Sequence, residues 1–417
     1  MASAEGETRF TNAADSAGIT YQNPPTGRIA EREEIIANLP TPVAEFLSEV
    51  RPNYAMNPFG APGVALLDFD GDGDLDIYAT NGPGAANSLY SNQLRESGVL
   101  SFHDVAVASG TDATAQDSSG VCYGDIDNDG DPDLYVLGLG EENLLLRNEG
   151  DGTFTDITAA SGTAGGQRHP TSCSFGDIDN DGLLDLLVGN TFDDWNHRLA
   201  TVTVETYPGL EHNQLFHNLG GGTFADVSAA AGIENVSNMS GPGLSGAAHT
   251  WALSLVDFDQ DGDVDIISAD NQGAAATQPS ERRGWNRLFE NDGTGHFTDV
   301  TEAVGLDVEG SWMGLTFGDY NCDGSLDFFS TNVGDYEGPG RHSTLFLGSE
   351  GGSFATAGPP EANVFGWGAS SLDYDNDGDQ DVIYHGGLDF LNLLFLVNPG
   401  VLYTNEGECS GVLRYDA

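Results

Sequence analysis

The sequence predicts an all-β protein, a β-propeller built from short four-stranded blades, and three observations predict it. A nine-residue acidic motif, Asp68-Phe69-Asp70-Gly71-Asp72-Gly73-Asp74-Leu75-Asp76, recurs five more times, beginning at Asp125, Asp177, Asp257, Asp319 and Asp373. Every copy lies between apolar runs of strand length, such as Val64–Leu67 before the first and Ile77–Tyr78 after it. The first aspartates are 57, 52, 80, 62 and 54 residues apart, an interval that accommodates four short strands, which is one propeller blade.

The repeat unit reads as a strand into the acidic loop, a strand out of it, a third strand ending in Asn with a glycine turn, and a fourth strand. Leu145-Leu146-Arg147-Asn148-Glu149-Gly150 followed by Phe154-Thr155-Asp156-Ile157 shows the second half of the unit. Leu215–Gly220 with Phe224–Val227, and Leu288–Gly293 with Phe297–Val300, repeat it. The N-terminal stretch Arg9–Ile19 is a further relative of that fourth strand and its turn, while Leu402–Gly407 and Val412–Asp416 read as third and fourth strands of the last repeat. The N-terminal copy is then surplus to six blades. From Asp373 through both termini back to Asp68 is 112 residues, nearly two repeats, so we expect a seventh blade, without a loop, around the N-terminal segment, with six blades as the alternative. The whole chain, 1–417, is expected to be one propeller domain with two interruptions. Residues 27–58 hold a helix-spaced stretch, Ile29–Asn38, broken by Pro40 and Pro42, and are expected to cap one end. The long fourth interval carries an insertion at 191–210, expected to be a loop on one face.

The acidic motif carries the chemistry. Oxygen side chains stand at positions 1, 3, 5 and 9, and position 6 is glycine in every copy, the first part of an EF-hand-type calcium loop in which alternate oxygens turn inward and position 7 offers its carbonyl. The position-12 glutamate of an EF-hand is missing, so the position-9 aspartate must supply the late carboxylate. The expected ligands are Asp68, Asp70, Asp72, Asp74 and Asp76; Asp125, Asp127, Asp129, Asp131 and Asp133; and Asp177, Asp179, Asp181, Leu183 and Asp185. The second half of the chain contributes Asp257, Asp259, Asp261, Asp263 and Asp265; Asp319, Asn321, Asp323, Ser325 and Asp327; and Asp373, Asp375, Asp377, Asp379 and Asp381. About six Ca²⁺ are therefore expected. Asn321 removes one charge, so the fifth loop should bind most weakly. Without a cation the carboxylates repel at a few ångströms; with one, each loop cross-links two strands.

The chain carries 66 acidic against 13 basic residues, a net charge of −53, and every basic residue is arginine. Six divalent cations would still leave about −41. Such a surface repels nucleic acid and anionic membranes. It suits a cation-rich habitat, where self-repulsion is screened, and equally an acidic secreted protein. No apolar run is long enough to span a bilayer. The N-terminus lacks signal-peptide features; we expect removal of a leader, because extracellular calcium modules work with dissociation constants of roughly 10⁻⁴–10⁻³ M and fill only where calcium is abundant. Cys122, Cys173, Cys322 and Cys409 form no CxxC pattern, and Cys322 with Cys409 is one candidate disulfide beside the free-thiol alternative.

The residues entering successive inner strands should line the mouth of the axial channel. Arg168, His169, His249, Trp251, Trp312 and Trp367 fall there, an aromatic and partly cationic set suited to a sugar ring or small anion, or else packed between blades. HExxH and GxSxG motifs are absent, and lysine chemistry is excluded by composition, so no motif supports an enzyme. Two Asn-x-Ser sequons, at Asn235 and Asn238, match the glycosylation pattern.

Taken together, the DxDxDGxxD loops, the Asn-x-Gly turns and the Phe-x-Asp-Val strands resemble FG-GAP/VCBS repeats, the propeller repeats of integrin α-chains. The Ala-Gly-Ile spelling after the fourth strand is most similar to the ASPIC/UnbV group. The resemblance implies calcium ligation at positions 1, 3, 5, 7 and 9 of each loop. For function it implies a secreted, periplasmic or surface-attached module that binds an extracellular protein or glycan, as in adhesion. The alternatives are a polysaccharide-acting enzyme, with Arg168, His169 and His249 as its polar groups, or a structural subunit of an extracellular assembly.

Overall fold

The computed structural model describes residues 12–21, 63–82, 84–191, 211–233, 250–270, 284–308, 310, 312–332, 342–357, 366–385, 400–405 and 411–415. They form an all-β propeller of six blades, each a four-stranded antiparallel sheet whose strands follow one another in chain order. The first blade is β1 (Val64–Leu67), β2 (Asp76–Ala79), β3 (Ser88–Asn92) and β4 (Phe102–Asp104), and the second is β5 (Ser118–Gly124), β6 (Asp133–Gly138), β7 (Leu144–Asn148) and β8 (Phe154–Asp156). The third is β9 (Pro170–Gly176), β10 (Asp185–Asn190), β11 (Gln214–Asn218) and β12 (Phe224–Asp226). The fourth is β13 (Thr250–Val256), β14 (Asp265–Asp270), β15 (Asn286–Asn291) and β16 (Phe297–Asp299). The fifth is β17 (Trp312–Gly318), β18 (Asp327–Asn332), β19 (Thr344–Leu347) and β20 (Ala355–Ala357), and the sixth β21 (Ala369–Leu372), β22 (Asp381–Tyr384), β23 (Val401–Asn405) and β24 (Leu413–Tyr415).

Each acidic motif joins the first two strands of its blade, and the position-9 aspartate opens the second strand in the same register every time. Leu67 faces Asp76, Gly124 faces Asp133, Gly176 faces Asp185 and Val256 faces Asp265. The second strands of blades two to five are buried along their whole length, which explains their nearly continuous apolar spelling: a strand with a blade packed on each face has no solvent side to alternate with.

The core lies at the joints between blades. Five apolar clusters fill the five joints from blade one to blade six. In each, the inner strand of the later blade sends one or two side chains into the earlier one: Val121, Cys173 with Phe175, Leu253 with Leu255, Leu315 with Phe317, and Ala369. Val64 and Leu66 of β1 hold the same register positions, yet they are 66% and 52% exposed. Ile383 of β22, which matches the fully buried Tyr78, Tyr135 and Phe329, is likewise 38% exposed. Among the described residues no cluster fills the joint between the sixth and first blades.

That joint bears on the blade count. The described residues realise the six-bladed alternative rather than the seven we favoured, and most of the segment assigned to the seventh blade lies outside them. Residues 12–21 are described and form a helical turn, α1 (Ala14–Ala17). The same device follows β4, β8 and β12, as α3 (Ala106–Ser109), α4 (Thr158–Ser161) and α5 (Ser228–Ala231), while α2 (Leu94–Ser97) sits between β3 and β4. A side chain at the end of the fourth strand starts each turn: Asp156 Oδ1 accepts from Thr158 N at 2.9 Å, and Asn12 Oδ1 from Ala14 N at 3.1 Å. A left-handed glycine ends it, and a Cβ on Gly162 would sit 3.1 Å from the Phe224 carbonyl oxygen of the next blade. A Cβ on Gly18 would meet the Phe102 oxygen of blade one in the same way, so α1 docks where a turn from a preceding blade would.

The expected cap at 27–58 and residues 192–210 of the expected insertion lie outside the described residues. No described helix is long and apolar enough to cross a membrane. Cys122 and Cys173 form a disulfide between β5 and β9, with Cα atoms 5.8 Å apart. Cys322 is also disulfide-bonded, and Cys409, its expected partner, lies outside the described residues.

Candidate metal centres

The six loops share one hydrogen-bond scaffold. The position-1 carboxylate folds back over the turn: Asp68 accepts from Asp72 N at 3.1 Å and Gly73 N at 3.0 Å, and Asp125, Asp177, Asp319 and Asp373 do the same in their loops. The position-5 carboxylate accepts the position-7 N–H, as Asp129 does from Asp131 at 3.0 Å and Asp181 from Leu183 at 2.9 Å. Asp257 accepts from Gly262 N at 3.1 Å, and Asp261 from Asp263 N at 2.9 Å. Position 4 takes a left-handed conformation in every loop, at Gly71 and at Asn128, Asn180, Gln260, Cys322 and Asn376. Asparagine is the non-glycine residue that tolerates it best.

The position-9 aspartate anchors the loop to the blade. Asp133 accepts from Ile126 N at 2.9 Å and from Asn148 N at 2.7 Å, and Asp76, Asp185, Asp265, Asp327 and Asp381 repeat the pair of bonds. The asparagine ending the third strand then reaches back one blade. Asn148 Nδ2 donates to Phe69 O at 2.8 Å, Asn218 to Ile126 O at 2.9 Å, Asn291 to Ile178 O at 2.8 Å and Asn405 to Tyr320 O at 2.7 Å. Position-4 amides reach forward: Asn128 Nδ2 donates to Gly182 O at 2.8 Å, Asn180 Nδ2 to Asp263 Oδ1 at 2.6 Å, and Gln260 Nε2 to Gly324 O. Consecutive loops are thus wired to one another. Cys322, at position 4 of the fifth loop, is disulfide-bonded instead.

A divalent cation fits these residues. Carboxylate oxygens converge in Asp68, Asp70 and Asp76, in Asp125, Asp127 and Asp133, and in Asp177, Asp179 and Asp181, each group lying within 4.8 Å. Asp72 Oδ2, Asp74 Oδ1, Asp127 Oδ1, Asp179 Oδ1 and Asp257 Oδ1 are buried with no hydrogen-bond partner, which leaves acceptors for a cation to satisfy. Burial pushes the carboxyls of Asp76, Asp133 and Asp265 up to about 7 and that of Asp327 to about 6, against the pull of their two backbone donors and with a further push from neighbouring aspartates. Asp70, Asp127, Asp259 and Asp375 are raised for the same two reasons, burial first. Asn321 is engaged inside its own loop, its Oδ1 accepting from Asp323 N and its Nδ2 donating to Asp323 Oδ2, both at 3.0 Å. At position 7, Asp74 Oδ2 accepts from Arg95 N at 3.0 Å.

The residues expected at the channel mouth divide three ways. Trp251 and Trp367 meet edge to face, ring centroids 5.5 Å apart. Arg168 donates to the carbonyls of Gly165 and His212, and the buried His169 pairs through Nδ1 with Glu211 Oε1 at 3.2 Å. Trp312 is wholly buried in the joint between blades four and five, its ring edge-on to Phe346 and its Nε1 donating to Val308 O at 3.2 Å. His249 lies outside the described residues. Sequence reading missed Glu211, the Cys122–Cys173 bridge and His217, whose imidazole stands beside the third loop. Its position immediately before the strand-ending Asn218 was the available signal.

Fold and loops together define a six-bladed propeller with an acidic loop in every blade, and a family model described as FG-GAP-like repeat matches residues 68–136, 125–188 and 257–330. The chain is similar to cartilage acidic protein 1: to the Homo sapiens protein at 25% identity over 70% of this chain and 40% of that one, and to the Xenopus tropicalis protein at 31% over 34% and 23%. It spans well under half the length of these relatives. A solved Agrocybe aegerita lectin, described as recognising non-reducing terminal N-acetylglucosamine, aligns at TM-score 0.45 and 18% identity over 87% of this chain and 83% of its own.

Proposed function

We propose that the protein is a secreted, calcium-binding β-propeller that acts as a binding or adhesion module for an extracellular protein or glycan. The observation that carries the metal part is the repeated loop scaffold with its orphaned carboxylate oxygens. The loops would hold Ca²⁺ through positions 1, 3, 5, 7 and 9, about one ion per loop, and bound calcium would supply a fixed cross-link between the first two strands of each blade. Modules of this kind fill at roughly 10⁻⁴–10⁻³ M calcium, and disulfides persist in oxidising compartments, so both favour a secreted, periplasmic or cell-surface setting. The similarity to cartilage acidic protein 1 is in keeping with an acidic extracellular module.

For the binding face we propose the Trp251–Trp367 pair, whose rings suit the apolar face of a sugar. Equilibrium dialysis against ⁴⁵Ca should count about six ions, with about one ion lost after Asp-to-Asn replacement at position 1 of a loop; a count near zero overturns the reading. A glycan array should show binding that Trp367→Ala abolishes without loss of folding, and an array blank for the wild type removes the glycan half.

A further inference from the structure

We propose that the third loop is a mixed nitrogen–oxygen site that takes a first-row transition ion of the Zn²⁺ class, with His217 Nε2 as its nitrogen ligand. The inference rests on the reading that the loops hold divalent cations, and it distinguishes one loop from the other five. In each blade the residue just before the N–H that bonds to the position-9 carboxylate lies beside the loop. That place is held by Ser91, Arg147, His217, Glu290, Leu347 and Thr404, so blade three alone puts a nitrogen ligand there.

The geometry of His217 is that of a metal-binding histidine held by a carboxylate. Nδ1 lies 3.0 Å from Asp185 Oδ1, a hydrogen bond in which the ring is the donor and the carboxylate the acceptor. The lone pair is thereby left on Nε2, which stands 3.8 Å from Asp179 Oδ2. That separation is too long for a hydrogen bond but suits two ligands of one ion, since Zn–N and Zn–O distances of roughly 2.0–2.2 Å at an open angle span it. Carboxylate–histidine–metal relays fix the tautomer in this manner. The other oxygen of Asp179 is buried without a partner. Asp179, Asp185 and His217 place one ligand atom each within 4.8 Å of one another.

The rest of the loop shifts the balance the same way. Its position 7 is Leu183, so the third loop holds four aspartates where the first, second, fourth and sixth hold five; the position-7 carbonyl is kept, but one nearby negative charge is lost, which weakens its claim on Ca²⁺. An imidazole favours zinc, cobalt or nickel over calcium.

The test uses the whole protein with Co²⁺ and Zn²⁺ added alone, in millimolar Ca²⁺. The wild type should bind one equivalent of either ion, with Co²⁺ absorption in the visible. His217→Ser, which installs the residue blade one carries at this place, should lower that affinity by about tenfold or more while leaving the calcium count taken without added Co²⁺ or Zn²⁺, and the far-UV spectrum, unchanged. Co²⁺ binding equal in wild type and H217S, or no transition-ion equivalent in the wild type beside normal calcium binding, overturns the inference and leaves the calcium reading standing. Absence of both kinds of binding overturns both. Asp179→Asn is a second variant, and it should lose the Co²⁺ band as well; a band retained in it contradicts the proposed ligand pair.

Discussion

At the scale of single residues, the position-9 aspartates hold the account together. Asp133 is 1% exposed and accepts two backbone N–H groups that no other side chain reaches in its loop, so it belongs to the blade as much as to the metal site. Asp133→Asn turns one of its accepting oxygens into a donor facing an N–H. We expect a loss of about 1–3 kcal/mol, read from urea denaturation. The raised carboxyls set a pH dependence for the metal-free protein. Asp76, Asp133 and Asp265 titrate near 7 when folded and near the ordinary carboxylate value when unfolded, so the folded form binds protons more tightly. Their contribution is present below about pH 4 and is lost as pH rises through about 7. In chelator, the melting temperature should therefore fall between those values, and saturating calcium should remove the slope. The sequence marks these aspartates as candidate ligands. Their second role was not legible there, because it depends on which N–H groups the third strand brings to them.

At the scale of elements, the strand–loop–strand hairpin was readable from spacing alone, and its register recurs in all six blades. What spacing did not give was the traffic between blades. The position-4 amides and strand-ending asparagines connect each loop with its neighbours, and such contacts depend on how blades stack rather than on what each repeat spells. Gln260 Nε2 bonds to Gly324 O in the next loop, so Gln260→Ala should lower calcium affinity at the fourth and fifth loops together, by about two- to tenfold, the worth of one hydrogen bond. A calorimetric titration indistinguishable from wild type would show that the loops fill independently. The Cys122–Cys173 bridge was illegible for the same reason: both cysteines sit on inner strands that become neighbours only when two blades pack. With its ends 51 positions apart in the sequence, replacing both cysteines by serine should cost about 2–4 kcal/mol in denaturant melts.

At the scale of the molecule, the propeller followed from six loops at near-regular intervals, while the blade count did not. It turned on the N-terminal copy of the fourth strand. The described part of that copy, Asn12 to Gly18, repeats the turn seen after blades one to three and docks on blade one as those turns dock on their successors. On the first strand of the same blade, Val64 and Leu66 stand exposed at positions that elsewhere plug the preceding blade. The tryptophans show the limit of reasoning by position along a strand. Trp251 and Trp367 meet, but Trp312, equivalent in the sequence pattern, turns into the joint and becomes core. Charge belongs to this scale too: a chain at −53 is drawn together by apolar joints and pushed apart by its own carboxylates, many of them in the loops.

The measurement that meets this account most directly is a calorimetric melt of the whole protein in excess Ca²⁺ and again in EGTA, at constant ionic strength and pH 7. We predict a melting temperature at least 10 °C lower in EGTA, restored on returning calcium. Coincident melts would contradict the claim that cations in the acidic loops hold the blades together.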